Sequence, residues 1–205
     1  MSKLFVGMTF VSLLLFSGCS MKVDYNKDYI ASEMNNNLAK NSQINVAVYT
    51  TKEMDDSKFI GRPNSFAGSA NTLEVPTGII TREVTYEFFS QYFAKVEKVS
   101  EQQVLDKNGY QIILTPSTNN FYYEFEQLSN LGFAITPKTR FSLHLTVNKD
   151  NKKIFDKSYD SGLINGETYV LSGSPYETVS KTYHKGLFNL YKMVNQDIIM
   201  AISNN

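Results

Sequence analysis

Cysteine is almost absent from this sequence, with one in 205 residues. That excludes a disulfide framework within the chain and any Cys-rich zinc site. Histidine is nearly as scarce, at two, which leaves little for metal chemistry, so neither a metal site nor a cofactor is expected. Neither sign of charge predominates: twenty Lys and Arg stand against twenty Asp and Glu. The clustered cationic face of a nucleic-acid binder therefore has no compositional support, and no nucleic-acid partner is expected. Motifs of catalysis are missing as well. There is no Gly-x-Ser-x-Gly, Gly-x-Gly-x-x-Gly, phosphate loop or His-Glu-x-x-His, so nucleophile-elbow hydrolases, nucleotide binders and zincins lack their signatures.

What is present points to a folded domain. Apolar residues make up 42% of the chain, with thirteen Tyr and fourteen Phe but no Trp, more than a disordered tail carries. The length suits one domain of ordinary size.

The N-terminus is the most specific segment. Lys3 precedes Leu4–Phe16, a run without charge, and then Ser17-Gly18-Cys19. A positive start, a short apolar run and small residues at the cut are the parts of a secretory signal. The run falls short of the roughly 20 residues that cross a bilayer as a helix. Leu14-Leu15-Phe16-Ser17-Gly18-Cys19 resembles the lipobox of bacterial lipoproteins, apart from Phe16, where Leu is usual. The resemblance implies removal of residues 1–18, thioether lipidation of Cys19 and acylation of its new amino group. Several acyl chains at about 0.8 kcal/mol per buried CH₂ make a stable anchor. Ser20, rather than Asp, after the cysteine resembles lipoproteins sorted to the outer membrane, which places the domain on its periplasmic face.

Residues 19–43 then read as the lipidated cysteine and a tether. Ser20 to Gln43 is polar, without a sustained apolar period beyond a short helix around Lys27–Leu38, and as a flexible coil would span roughly 27 Å. The domain proper is expected over 44–205. Ile44, Val46 and Val48 alternate as a first strand, and Lys52 to Asn71, with Gly61, Pro63 and Gly68, reads as a long loop. A helix opens at Val75-Pro76-Thr77, with Ile80, Val84, Phe88 and Tyr92 at four-residue steps carrying it to Val96. Tyr110, Ile112 and Leu114 form a strand that Pro116 stops, and Phe121–Glu126 begins another or continues it after a break. Phe141–Val147, a turn at 148–152 and Ile154–Tyr159 make a hairpin. Ser174-Pro175-Tyr176-Glu177 combines an N-cap, a proline at the first helical position and a capping Glu. The helix it starts runs about seven turns, to Ile202. The fold class is α+β: a single antiparallel-rich sheet with two main helices packed largely on one face.

Few residues offer chemistry. His144 lies on the polar side of a strand and reads as solvated or paired at an edge. His184 flanks the apolar stripe of the last helix, where packing outweighs acid–base work. The chain is therefore not expected to be an enzyme. Phe121, Tyr123, Phe125 and Phe133 form an aromatic stretch that is core strand if buried and a partner or ligand surface if exposed. With the lipobox in front, the Asn45–Tyr49 strand, the Val75-Pro76-Thr77-Gly78 helix entry, the Phe141–Val147 strand and the long terminal helix with Asp197 resemble YajG-type lipoproteins. They also resemble, more distantly, envelope accessory lipoproteins of the LptE and PqiC kind. The resemblance implies a non-enzymatic envelope protein, anchored to the membrane through Cys19, that binds an envelope protein partner in outer-membrane assembly or transport. A module that binds lipid or a small hydrophobic ligand is the alternative.

Overall fold

The computed structural model describes residues 20–35, 37–102, 105, 109–127, 134–169 and 174–204. Cys19 and Phe133 lie outside them. The strands are β1 (Ser20–Lys22), β2 (Asn41–Tyr49), β3 (Phe59–Gly61), β4 (Thr72–Val75), β5 (Phe93–Val99), β6 (Ile112–Glu126), β7 (Thr136–Lys149), β8 (Lys152–Asp160) and β9 (Ile164–Asn165). The helices are α1 (Lys52–Asp55), α2 (Thr77–Phe89) and α3 (Pro175–Asn204). The class is α+β, but there are two sheets where one was expected. The larger runs β5-β2-β6-β7-β8 with β9 beside β7, and the smaller is β1-β4-β3.

The small sheet comes from segments that read as tether and loop. Ser20 pairs with Thr72 and Lys22 with Glu74 in parallel register, a contact between distant segments that no local period announces. The stretch from 20 to 43 is not a free tether. Two 3₁₀ turns, Lys27–Tyr29 and Ala31–Glu33, lay Ile30 wholly inside the core, with Val23, Tyr25 and Met34 packed against it. Four apolar residues scattered in a polar run were too few to form a pattern, yet Tyr25 meets His184 of α3 and Met34 lies with Tyr86 of α2.

β6 shows how the alternation was kept through a break. Ile112, Leu114, Pro116 and Thr118 face inward at even positions, whereas Phe121, Tyr123 and Phe125 face inward at odd ones. A bulge between Asn119 and Tyr122 makes the change of phase, with Asn120 in the left-handed region at φ 55°, where Asn is tolerated better than most residues. Pro116 does not stop the strand. The ladder from β2 ends at Leu114, so the far edge of β6 has no strand beside Pro116, where a missing N–H goes unnoticed.

α2 ends seven residues before Val96. Phe93–Val99 instead lies parallel to β2, with Val46 opposite Val96, so that sheet pairing replaces two further helical turns. Both long helices cover the same face of the large sheet, where Val46, Val48, Ile112, Leu114, Leu143 and Leu145 meet Ile80, Val84, Phe88, Tyr183, Leu187 and Tyr191. Between the helices runs a buried polar ladder. Thr118 Oγ1 and Tyr183 OH meet Thr81 Oγ1 at 2.7 and 3.0 Å, and Tyr191 OH donates to Thr85 Oγ1 at 2.6 Å. Thr77, Thr81 and Thr85 share one face of α2 at four-residue steps beside the apolar stripe, which is why hydroxyls, not methyls, meet the tyrosines.

Candidate functional site

Of the two readings left open for Phe121, Tyr123 and Phe125, core strand or partner and ligand surface, the structure has them as core. All three are buried. Phe121 packs edge-on against Phe59 and Tyr183, each 5.0 Å between ring centres, and Phe125 packs against Tyr123 at 5.5 Å. The loop after β3 closes the edge that β2 leaves open. Asn64 N–H donates to Tyr123 O (2.8 Å) and Phe125 N–H donates to Ser65 Oγ (2.8 Å). Burial pushes the Tyr123 phenol above its ordinary range. The ring is wholly enclosed, as a side chain in a packed interior is.

A concave feature with apolar lining lies elsewhere, between α3 and β9. It is a groove of about 380 Å³ walled by Ile164, Leu190 and Met193, with Thr178 and Thr182 beside them and Lys181 and Lys185 at the rim. Two glycines allow the walls to approach. A Cβ on Gly166 would meet Thr182 Oγ1 at 2.2 Å, and one on Gly186 would meet Ile164 Cδ1 at 2.5 Å. Lys181 and Lys185 both reach Glu167, at 2.7 and 3.3 Å, and hold its carboxyl below the usual carboxylate range. Met193 is 80% exposed and Met200 53%. With Asn189 and Gln196 they form one stripe at steps of four, three and four along α3. The stripe continues into a second, shallower hollow of about 330 Å³ at Tyr92, Gln196, Ile199 and Met200. Composition could not reveal this surface, because Met193 and Met200 sit in the same helix as the core stripe and only packing shows which are left out.

The two histidines separate. His184 is buried, and its Nδ1 donates to Ser180 O (2.7 Å) while Nε2 accepts from Asn26 N–H (3.2 Å). This arrangement fixes the neutral tautomer. Tyr25 stacks on the ring at 5.4 Å and Tyr29 meets it edge-on at 5.2 Å. Burial lowers its pKa to about 4, against a smaller upward pull from the Ser180 carbonyl. His184 is thus the clasp holding residues 25–29 to α3. His144 lies on the outer face of the large sheet, with Nδ1 2.9 Å from Ser158 Oγ and Nε2 3.3 Å from Asp156 Oδ1. Three residue types of a hydrolytic triad are therefore adjacent, but on an open, solvated face. They come from directly paired rows of β7 and β8, where such neighbours are ordinary cross-strand partners. Asp156 also bonds Lys153 (2.5 Å), which keeps its carboxyl low. Among the described residues no group of three His, Cys, Asp or Glu side chains is placed to hold a metal ion, and no helix is long and apolar enough to cross a membrane.

No family model matches this chain, and no curated protein matches it. Several solved structures are similar at low identity. A Xanthomonas campestris protein of the DUF330 family shares 14% identity, with 90% of this chain and 95% of that one covered at a TM-score of 0.47. PelC from Paraburkholderia phytofirmans, solved as a dodecamer, shares 11%, over 75% of this chain and 91% of that one, at 0.36. A neuraminyllactose-binding hemagglutinin homolog from Helicobacter pylori shares 10%, over 78% and 88%, at 0.37.

Proposed function

We propose that this protein is a lipid-anchored, non-enzymatic accessory of the bacterial envelope, held at the periplasmic face of the outer membrane through Cys19, whose α+β domain binds another envelope component. The lipobox-like run ending at Cys19 supports the anchor. The observation that carries the binding role is the stripe of Asn189, Met193, Gln196 and Met200 along α3, with its two flanking hollows. Methionine adapts to the shape of what it meets and recurs on surfaces that bind partners, and exposed methionines set between amides that can hydrogen-bond suit a docking face.

A photo-crosslinking amino acid placed at Met193 in intact cells is expected to trap one discrete adduct, while the same probe at Asn151, on the β7–β8 turn, traps none. Equal labelling at both positions would remove the docking role. The groove also favours a second reading, a site for a lipid or small hydrophobic ligand, because Ile164, Leu190 and Met193 form an apolar floor beneath Lys181 and Lys185. An adduct of lipid mass, with no protein attached, would select it.

A further inference from the structure

The loop between β3 and β4 holds a bare phenyl ring on a pinned backbone. Phe66 is 96% exposed, yet the residues around it are fixed. Ser65 Oγ accepts from Phe125 N–H (2.8 Å) and donates to Ala67 O (3.1 Å). Ser69 N–H returns to Phe66 O (3.2 Å) and Asn71 N–H to Gly68 O (3.0 Å). Gly68 adopts a φ of 77° against the Phe125 ring, which a Cβ would touch at 2.8 Å. Ordered hydrogen bonds and a left-handed glycine thus hold the loop to the core while its largest side chain stands in water. Ile60, 57% exposed, lies on the outer row of the same small sheet, beside Glu74 and Lys22.

The first described residue belongs to the same small sheet as this loop. Ser20 is the first residue of β1 and pairs with Thr72, the first of β4. Phe66 is six residues before Thr72 through two tight turns, hence within about 20 Å of it. Cys19 directly precedes Ser20 in the chain, so acyl chains carried on it would start one residue from the sheet that carries Ile60.

We infer that the 62–71 loop is a membrane-contact loop: Phe66 inserts at the lipid headgroup boundary, Ile60 follows it, and the small sheet rests directly on the bilayer that holds Cys19. Aromatic rings favour that boundary, and the exposed Arg62, next in the chain after β3, suits phosphate headgroups, while Lys22 is paired with Glu74 at 3.6 Å. This inference rests on the anchor at Cys19.

The absence of tryptophan makes the test direct. Phe66→Trp, at a position with almost no packing to lose, gives one indole, and Asn151→Trp gives a control at the opposite end of β6 and β7, roughly 40 Å away at 3.3 Å per residue. Each full chain is produced with its lipid anchor, checked by palmitate-analogue labelling, and reconstituted in phosphatidylethanolamine–phosphatidylglycerol vesicles. The indole at position 66 is expected to shift to the blue, lose emission in vesicles of brominated lipid and be shielded from iodide, whereas the indole at 151 is quenched by iodide alone. Labelled protein whose indole at 66 stays open to iodide overturns the contact loop and leaves the anchor standing. A blue shift without bromolipid quenching, in cross-linked pairs, also overturns it and makes the loop an interface between copies. Absence of label at Cys19 removes the anchor and this inference with it.

Discussion

His184 is kept neutral by what surrounds it. Its folded pKa of about 4 lies below the ordinary 6.5, so between those values the unfolded chain takes up a proton that the folded chain refuses. Stability is therefore fully present above pH 6.5 and falls as pH is lowered, by about 2 kcal/mol between pH 7 and pH 5. Urea midpoints at the two pH values measure the fall, and His184→Gln is expected to flatten it while costing stability at pH 7. The exposed carboxyls with lowered pKa values, among them Asp160 beside Arg140, contribute their losses only at lower pH. His144 behaves otherwise: His144→Ala or Ser158→Ala on the solvated face is expected to move stability by no more than about 0.5 kcal/mol. Sequence patterning separated the two residues in part. It put His144 on a polar face and His184 beside a stripe, but the bond from Asn26 crosses 158 positions and left no local trace.

Within the helices, the Thr–Tyr ladder is where small changes tell most. Thr85→Val keeps the shape and leaves the Tyr191 hydroxyl buried without its partner, a loss of about 1–3 kcal/mol. Adding Tyr191→Phe is expected to recover most of it, because the stranded group is then gone, and a double-mutant cycle by chemical denaturation reads the coupling. Gly78, in the first turn of α2, allows α1 to pass: a Cβ there would lie 1.8 Å from Met54 O. Gly78→Ala is expected to destabilise the fold by at least about 1–3 kcal/mol despite alanine's better helix propensity, since the obstacle is backbone and cannot swing aside. The 174–177 capping pattern was visible in the sequence because caps are local chemistry, and Glu177 N–H does donate to Ser174 Oγ; the start of α2 at Thr77 follows Pro76 without a side-chain cap. The end of α2 was not visible in the sequence. Tyr92, Phe93 and Val96 continue the apolar period, and only the open edge of β2 turns Phe93–Val99 into a strand.

For the molecule as a whole, the decisive segment is 20–35. As a tether its removal would cost nothing; packed as it is, a chain beginning at 37 is expected to lose at least about 3 kcal/mol, at roughly 1.5–3 kcal/mol for each large apolar side chain withdrawn from the core, such as Ile30 and Tyr25. Thermal or urea unfolding of the shortened chain is the check. Equal stability would return these residues to the role of a spacer. The sequence by itself determined the α+β class, the hairpin at 141–159 and the long last helix, since each rests on periodicity or caps. Only the tertiary structure decided that a second sheet exists, that the aromatic strand is core and that Phe66, Met193 and Met200 are left in water. Burial is a relation between segments far apart in the chain, and a sequence pattern records which side chains seek a core without recording which of them find room in it.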